Sequence, residues 1–260
     1  MPDRVSAPRD RGTNRPKLLT LLEAATLQRH RRCTLGTASV KYYKRDFWVE
    51  ENQKYVEPHF RLTKAARIVN RLAGGRECDL LDVGCGPATL AHLLNENLRY
   101  HGIDIAIHKQ APNLLELDFA VNPIAFHGER FDIIVAQGVF EYIGKVQAQK
   151  FQEIAELLNG GGKFLVSYVN FNHRNRNIYW PYNNIQSFDD FKRSLSQFFH
   201  IDRFFPTSQR WHHDEPKGRL MKAVQMHINL DIPFVSRMLA VEYFFICSPR
   251  PIEGRGFGGA

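Results

Sequence analysis

Residues 80–89 read LLDVGCGPAT, a short apolar run that passes into a glycine-rich turn. An uninterrupted apolar run of this length is typical of a parallel strand that is covered on both faces. Glycine permits a tight turn after such a strand and lets a ligand approach the backbone closely. The stretch therefore predicts a buried strand, a ligand-binding turn and the start of a helix.

Two carboxylates accompany this turn. Asp82 stands just before the glycines, and Asp104 ends the next apolar run, twenty residues after Gly84. A carboxylate at the second position can accept hydrogen bonds from the hydroxyls of a ribose. The pattern fits any Rossmann-type nucleoside site, with an ordinary helix cap as the alternative role for Asp104.

Other details of the turn favour one nucleoside ligand over another. A dinucleotide site requires Gly-x-Gly-x-x-Gly, and Thr89 occupies the third glycine position. Pro87 removes a backbone N–H that would face a pyrophosphate. Asp82 would repel a pyrophosphate and attract a sulfonium ligand that carries an amino group. These features favour S-adenosylmethionine over NAD.

Apolar runs and amphipathic segments alternate along the rest of the chain. Strands are predicted at residues 79–83, 100–105, 114–117, 131–136, 163–169, 200–205 and 241–247. Helices are predicted at residues 17–32, 57–72, 88–95, 145–158 and 187–197, with Gly74-Gly75 ending the second and Ser187 capping the last. Alternating strands and helices predict an α/β fold with a doubly wound, parallel sheet.

The motifs around the turn resemble class I S-adenosylmethionine-dependent methyltransferases. Their first motif reads acid-x-Gly-x-Gly, as residues 82–86 do, and Asp104 matches the acid of the second strand. Residues 137–143 (QGVFEYI) resemble the segment after the fourth strand, and residues 158–165 (LNGGGKFL) the turn before the fifth. The resemblance implies a Rossmann-like, mostly parallel sheet of seven strands, the last antiparallel, plus N-terminal helices.

The resemblance also implies which residues hold the cofactor. The motif loop contributes Asp82, Gly84, Cys85 and Gly86; the other candidates are Arg61, Asp104, Ile105, Asp118, Phe119 and Gln137. Asp118 would face the adenine amino group, with Phe119 beside the ring, unless Asp118 is a helix cap. Arg61 would pair with the cofactor carboxylate or else be a solvated helix residue. Residues 105–113 are too few for the usual crossover helix.

Methyl transfer from a sulfonium is a direct displacement, so the protein chiefly aligns the reactants and excludes water. An oxygen or nitrogen acceptor also requires removal of a proton. The candidate catalytic residues are Glu141, Tyr142 and His173. Glu141 and Tyr142 have an alternative role in capping the helix that follows.

Aromatic residues after the fifth strand indicate where an acceptor binds. Tyr179, Trp180 and Tyr182 lie in residues 171–186, which we predict to form an acceptor lid, with core packing as the alternative. Arg174 and Arg176, with His173, either meet an anionic acceptor or are solvated. No metal site is expected, because His212, His213, Asp214 and Glu215 are adjacent and lack a ligand spacing.

Charge and cysteine content indicate the domain organisation and the cellular compartment. The formal charge of +8 lies entirely in residues 1–45, which carry eleven basic and three acidic residues. The four scattered cysteines form no CxxC and fit a reducing cytoplasm, and neither a secretory signal nor a membrane span is expected. We predict a basic disordered tail at residues 1–16, a helical cap at 17–75, the cofactor domain at 76–250 and a flexible tail at 251–260.

Three functions remain open at this point. The neutral, aromatic body favours a methyltransferase of small molecules, with no nucleic acid partner expected. The basic arm is the reason to keep an RNA or protein methyltransferase as the alternative. A non-catalytic partner subunit is the third, although such a subunit need not keep the acidic and glycine positions.

Overall fold

The computed structural model describes residues 45–124, 129–170, 186–209 and 240–251. All of them belong to one compact unit, Lys41–Ala260. The predicted basic tail, the helix at 17–32 and residues 171–185 of the acceptor lid lie outside the described residues. Within the described ranges, no helix is both long enough and apolar enough to cross a membrane.

Seven strands of the described chain form one mixed sheet. They are β1 (Cys78–Val83), β2 (Leu98–Asp104), β3 (Leu114–Glu116), β4 (Phe131–Ala136), β5 (Leu158–Val169), β6 (Phe199–Gln209) and β7 (Ala240–Pro249). Their order is β3-β2-β1-β4-β5-β7-β6, and β7 runs antiparallel to both of its neighbours. The predicted Rossmann-like sheet of seven strands with the last antiparallel is confirmed.

In the described ranges, four α-helices accompany the sheet: α1 (Arg45–Glu51), α2 (Phe60–Ala73), α3 (Gln147–Leu157) and α4 (Phe188–Phe198). α2 packs its small buried side chains, such as Ala65 and Val69, into the core that contains Leu80 and Leu165. α3 and α4 belong to the core on the opposite face, built around Phe164 and other phenylalanines. Alternate residues of β5 thus serve the two cores, as the period of a strand requires.

Local chemistry explains where the helices begin and end. The His59 ring accepts hydrogen bonds from the backbone N–H groups of Arg61 (3.2 Å) and Leu62, which starts α2 later than the predicted residue 57. Gly74, at φ 60°, ends α2 as predicted. The Ser187 hydroxyl accepts from Asp190 N over 3.1 Å, which confirms the predicted cap of α4.

Two predicted elements differ in the structure. The predicted helix at 88–95 is only a 3-10 helix, Thr89–Leu93, because Ala88 takes a left-handed conformation with φ 59°. β5 begins at Leu158 instead of residue 163, and a register shift against β4 absorbs part of the glycine run. As expected, no helix connects β2 to β3 in the described residues 105–113.

Candidate functional site

A cavity of about 530 Å³ lies at the carboxyl ends of β1, β2 and β4. Because β1 has β2 on one side and β4 on the other, this is the point where the strand order reverses. Open α/β sheets bind their ligands at such points. The volume falls within the range of small-molecule sites, roughly 300–1,000 Å³.

The structure brings together every predicted cofactor residue around this cavity. The lining includes Arg61, Asp82, Gly84, Cys85, Gly86, Asp104, Ile105, Asp118, Phe119 and Gln137. It also includes two of the three predicted catalytic residues, Glu141 and Tyr142. His173, Arg174, Arg176, Tyr179, Trp180 and Tyr182 lie outside the described residues.

The glycine turn is shaped by its neighbours. Gly84 has φ +75°, and a Cβ on it would collide with Cγ2 of Val139. The backbone N–H groups of Gly84 and Cys85 both donate to Ile103 O, over 2.8 and 3.1 Å. The turn from β1 is thereby fixed against β2 and the segment after β4. Cys85 is buried, and burial raises its pKa, so its thiol is not ionised.

Asp104 is held firmly at the end of β2. One carboxylate oxygen accepts from Ala106 N (2.9 Å) and from the Asn52 amide (3.1 Å), and the other accepts from Gly86 N (2.8 Å). Burial raises the pKa of Asp104, and these three hydrogen bonds offset part of the rise. The alternative role as a helix cap is wrong, because no helix follows Asp104 in the described residues.

Asp82 is a buried carboxylate beside the glycine turn. The Tyr100 hydroxyl donates to it over 2.8 Å. Burial raises the pKa of Asp82 to about 7, and the nearby charge of Asp104 adds to the rise. A cation bound in the cavity would favour the ionised form of Asp82.

Asp118 both caps a turn and lines the cavity. Its carboxylate accepts from Ala120 N over 3.0 Å, and its carbonyl accepts from Asn122 N over 2.9 Å. Behind the turn, the Lys150 ammonium donates to Asn122 O over 2.7 Å and lies 5.2 Å from the centre of the Phe119 ring. The wall formed by Asp118 and Phe119 is therefore supported from α3.

Arg61 is paired within the protein. Its guanidinium donates to the Glu242 carboxylate over 3.1 Å, and the Glu242 side chain is only 2% exposed. Arg61 reaches the cavity from α2, while Glu242 comes from β7. The alternative of a solvated helix residue is therefore wrong, although nothing in this contact tests the predicted pairing with a cofactor carboxylate.

Two side chains after β4 carry buried polar atoms that have no hydrogen-bond partner among the described residues. The side-chain oxygen and nitrogen of Gln137 and the Oε2 atom of Glu141 are buried, and no residue that the structure describes bonds them. Burial raises the pKa of Glu141 to about 8; the charge of Glu242 adds to the rise, and Arg61 offsets part of it. Since buried polar atoms are normally paired, these atoms point to a bound ligand.

Sequence reasoning missed several cavity residues that precede α2, three of them within residues 48–55. Trp48, Asn52 and Tyr55 all line the cavity, and Asn52 is only 4% exposed. The Thr89 hydroxyl donates to Tyr55 O over 2.7 Å, which ties this segment to the motif turn. The available signal was an aromatic-rich stretch, residues 47–55, next to a predicted cofactor-covering helix.

The sequence matches a known protein family. The model of a protein family described as a methyltransferase domain matches residues 58–204, more than half of the chain. No curated protein matches the sequence significantly.

Solved structures share the fold at low sequence identity. A chain from a complex that contains the Haloferax volcanii Trm112 methyltransferase activator is 15% identical, with a TM-score of 0.56, and the match covers 81% of this chain and 97% of that one. An S-adenosylmethionine-dependent methyltransferase from Clostridium acetobutylicum is 10% identical, with a TM-score of 0.50 and coverages of 72% and 90%. The chain belongs to the methyltransferase-domain family and is a class I S-adenosylmethionine-dependent methyltransferase.

Proposed function

We propose that the protein methylates a small-molecule acceptor inside the cavity described above. When bound, S-adenosylmethionine supplies a methyl group on a positively charged sulfur, which requires no further activation. The residues present fit this group, because the cavity offers buried carboxylates to its hydrogen-bond donors and holds the unpartnered amide of Gln137. The remaining work for the chain is to bind, align and exclude water.

Each cofactor-side carboxylate has a matching donor. Asp104 would accept from the ribose hydroxyls, and its own hydrogen bonds to Gly86, Ala106 and Asn52 fix its orientation beforehand. Asp82 would face the α-amino group, whose positive charge compensates the cost of ionising a buried carboxylate. Asp118 would accept from the adenine amino group, beside Phe119.

The burial of Glu141 is the observation that carries the small-molecule assignment. Its side chain is 3% exposed, and its Oε2 atom has no partner in the described part of the chain. An acceptor that gives a proton to Glu141 must therefore enter the cavity. A compact molecule can do so, whereas a folded macromolecule would have to extend a side chain or a base.

Glu141 is the proposed base within this cavity, and Tyr142 is its neighbour in the lining. Oε2 would accept the proton that an oxygen or nitrogen acceptor loses during transfer. His173 remains a further predicted candidate outside the described residues.

A screen of metabolites for S-adenosylhomocysteine release tests the proposal. We expect turnover of at least one small acceptor, and we expect it to survive removal of residues 1–44. Asp104→Ala should weaken binding of S-adenosylhomocysteine by about 1–3 kcal/mol in calorimetry without unfolding the protein. Activity confined to RNA or protein, lost with residues 1–44 and strongly dependent on salt, would contradict the small-molecule assignment.

A further inference from the structure

We propose that the acceptor is a basic amine, which Glu141 receives as an ammonium ion in front of the aromatic rings of Trp48 and Tyr142. This inference rests on the proposed function, since it names the substrate class of the same cavity. It selects nitrogen from the oxygen, nitrogen and carbon acceptors that the sequence leaves open.

The charge of the cavity is the first argument. Among the described residues that line it, four carry a carboxylate: Asp82, Asp104, Asp118 and Glu141. Arg61 is the one lining residue in these ranges with a permanent positive charge, and buried Glu242 already neutralises it. S-adenosylmethionine carries a sulfonium, an ammonium and one carboxylate, so it brings a single net positive charge. The carboxylates of the cavity outnumber this charge, so they would repel an anionic acceptor and attract a cationic one.

The assignment of the four carboxylates is the second argument. Asp82, Asp104 and Asp118 have donors to meet on the cofactor itself. Glu141 remains, and it stands after β4, two positions beyond Val139, which packs against Gly84 of the glycine turn. Its unpartnered Oε2 is thus the acceptor for a hydrogen bond that the cofactor does not supply.

The aromatic neighbours of Glu141 are the third argument. Tyr142 follows it directly, and the Trp48 ring contacts the Tyr142 ring edge-on, with centroids 4.9 Å apart. Both side chains line the cavity. Aromatic faces attract ammonium groups, most strongly where water is excluded. A carboxylate and two rings together form a site for an organic cation.

The transfer step balances with these groups alone. Pairing with the bound ammonium favours the ionised form of Glu141, whose own proton passes to water. The ammonium then gives one proton to the Glu141 carboxylate and becomes a neutral amine. The nitrogen lone pair then forms the bond to the methyl carbon, and the carbon–sulfur bond breaks with its electron pair going to sulfur. The products are an N-methylated ammonium and neutral sulfur in S-adenosylhomocysteine, and Glu141 later releases its proton to water.

Binding of three matched probes to the full chain saturated with S-adenosylhomocysteine tests the inference. The probes are phenethylamine, phenethyl alcohol and hydrocinnamate, which share a ring and differ in charge. By calorimetry we expect the amine to bind at least about tenfold more tightly than the alcohol, and the acid to show no binding, since a hydrogen bond to a charged group is worth about that factor.

Variants separate the role of Glu141 from a general effect. Glu141→Gln should abolish the preference for the amine and leave the Kd of S-adenosylhomocysteine within about twofold. Glu129→Gln removes the same charge at an exposed position outside the cavity and should change neither. Trp48→Leu should reduce the preference for the amine as well.

Several results would overturn the inference. They are equal or tighter binding of the alcohol or the acid, no amine binding at millimolar concentration, or an amine preference that survives Glu141→Gln. A large loss of S-adenosylhomocysteine affinity in Glu141→Gln would instead assign Glu141 to the cofactor. If the wild-type protein does not bind S-adenosylhomocysteine, the proposed function itself fails, and this inference fails with it.

Discussion

The side-chain amide of Asn52 donates a hydrogen bond to the Asp104 carboxylate over 3.1 Å, although the residues are 52 positions apart. The same nitrogen donates to Ala106 O over 3.2 Å. Asn52 also packs on Gly86, where a Cβ would lie 3.4 Å from its side-chain oxygen. The segment before α2 is thus bonded directly to the carboxylate that we assign to the ribose.

We predict that Asn52→Leu weakens binding of S-adenosylhomocysteine by about 1–2 kcal/mol. The Asp104 carboxylate then loses one of the three hydrogen bonds that fix its orientation. Isothermal titration calorimetry measures the change. Asn70→Leu is the matched control, since Asn70 bonds Leu93 O (3.2 Å) and Asn95 N (3.0 Å) outside the cavity. Asn70→Leu should lower the melting temperature and spare the affinity. Equal losses of affinity in both variants would count against a specific role for Asn52.

We predict that Gly84→Ala is far more destabilising than Gly75→Ala. Both glycines have positive φ, +75° and +80°, so both substitutions carry the left-handed penalty of roughly 1–2 kcal/mol. A Cβ at Gly75 has nothing within 4 Å, whereas one at Gly84 collides with Val139. We expect an additional cost of about 1–3 kcal/mol for Gly84→Ala. Urea denaturation measures both, and similar midpoints would show that Val139 moves aside freely.

Local signals explain why much of the site was predictable from the sequence. The glycine turn and Asp104 are recognisable because backbone conformation, apolar runs and their spacing are properties of short stretches. Asn52 was missed because its partners, Asp104 and Ala106, are distant in the chain and follow no periodic pattern. The pairing of Arg61 with Glu242 was missed for the same reason, since these residues are 181 positions apart.

Short segments also limited the prediction of elements. Residues 88–95 have the composition of a helix, but the left-handed Ala88 and the contacts of Thr89 with the segment before α2 leave only a 3-10 helix, Thr89–Leu93. The glycines at 160–162 read as a turn, yet they lie within β5, at a register shift between its pairs with β4 at Leu158 and Lys163. In both places tertiary contacts override local preference.

We predict that Glu141→Gln flattens the pH dependence of stability. The pKa of Glu141 rises from its ordinary 4.5 to about 8 through burial and the charge of Glu242, against the opposing effect of Arg61. Between these two values the folded protein keeps a proton that the unfolded chain releases. The contribution of Glu141 is therefore fully present below about pH 4.5 and is lost as pH rises through about 8.

Glu141→Gln lacks this titration. Between pH 5 and pH 8 its free energy of unfolding should therefore rise by about 1–3 kcal/mol relative to that of the wild type. Free energies of unfolding in urea at several pH values measure the gain. Asp82→Asn is a useful comparison, because the pKa of Asp82 is about 7. The stability that this variant gains relative to the wild type should level off at a lower pH than for Glu141→Gln. A constant difference between Glu141→Gln and the wild type across this range would show that Glu141 is ionised throughout.

The described residues that flank positions 171–185 make hydrogen bonds to the sheet. Val169, the last residue of β5, lines the cavity, and Asn170 donates its side-chain amide to Ala240 O over 2.9 Å. At the other end, Gln186 N donates to the Tyr168 hydroxyl over 2.9 Å. Val169 lines the same cavity as Glu141, so we expect the residues that follow it to reach a bound acceptor.

We therefore predict that Trp180→Ala raises the KM of the acceptor or lowers kcat, and leaves the affinity for S-adenosylhomocysteine within about twofold. Tyr179 and Tyr182 should behave alike, because large rigid rings provide contact area at little entropic cost. Arg174→Ala and Arg176→Ala should affect only acceptors that also carry a phosphate or carboxylate. Steady-state kinetics with calorimetry on the same preparations separates the two affinities. If Trp180→Ala abolishes cofactor binding with normal acceptor kinetics, or simply unfolds the protein, Trp180 belongs to the core and the lid assignment is wrong.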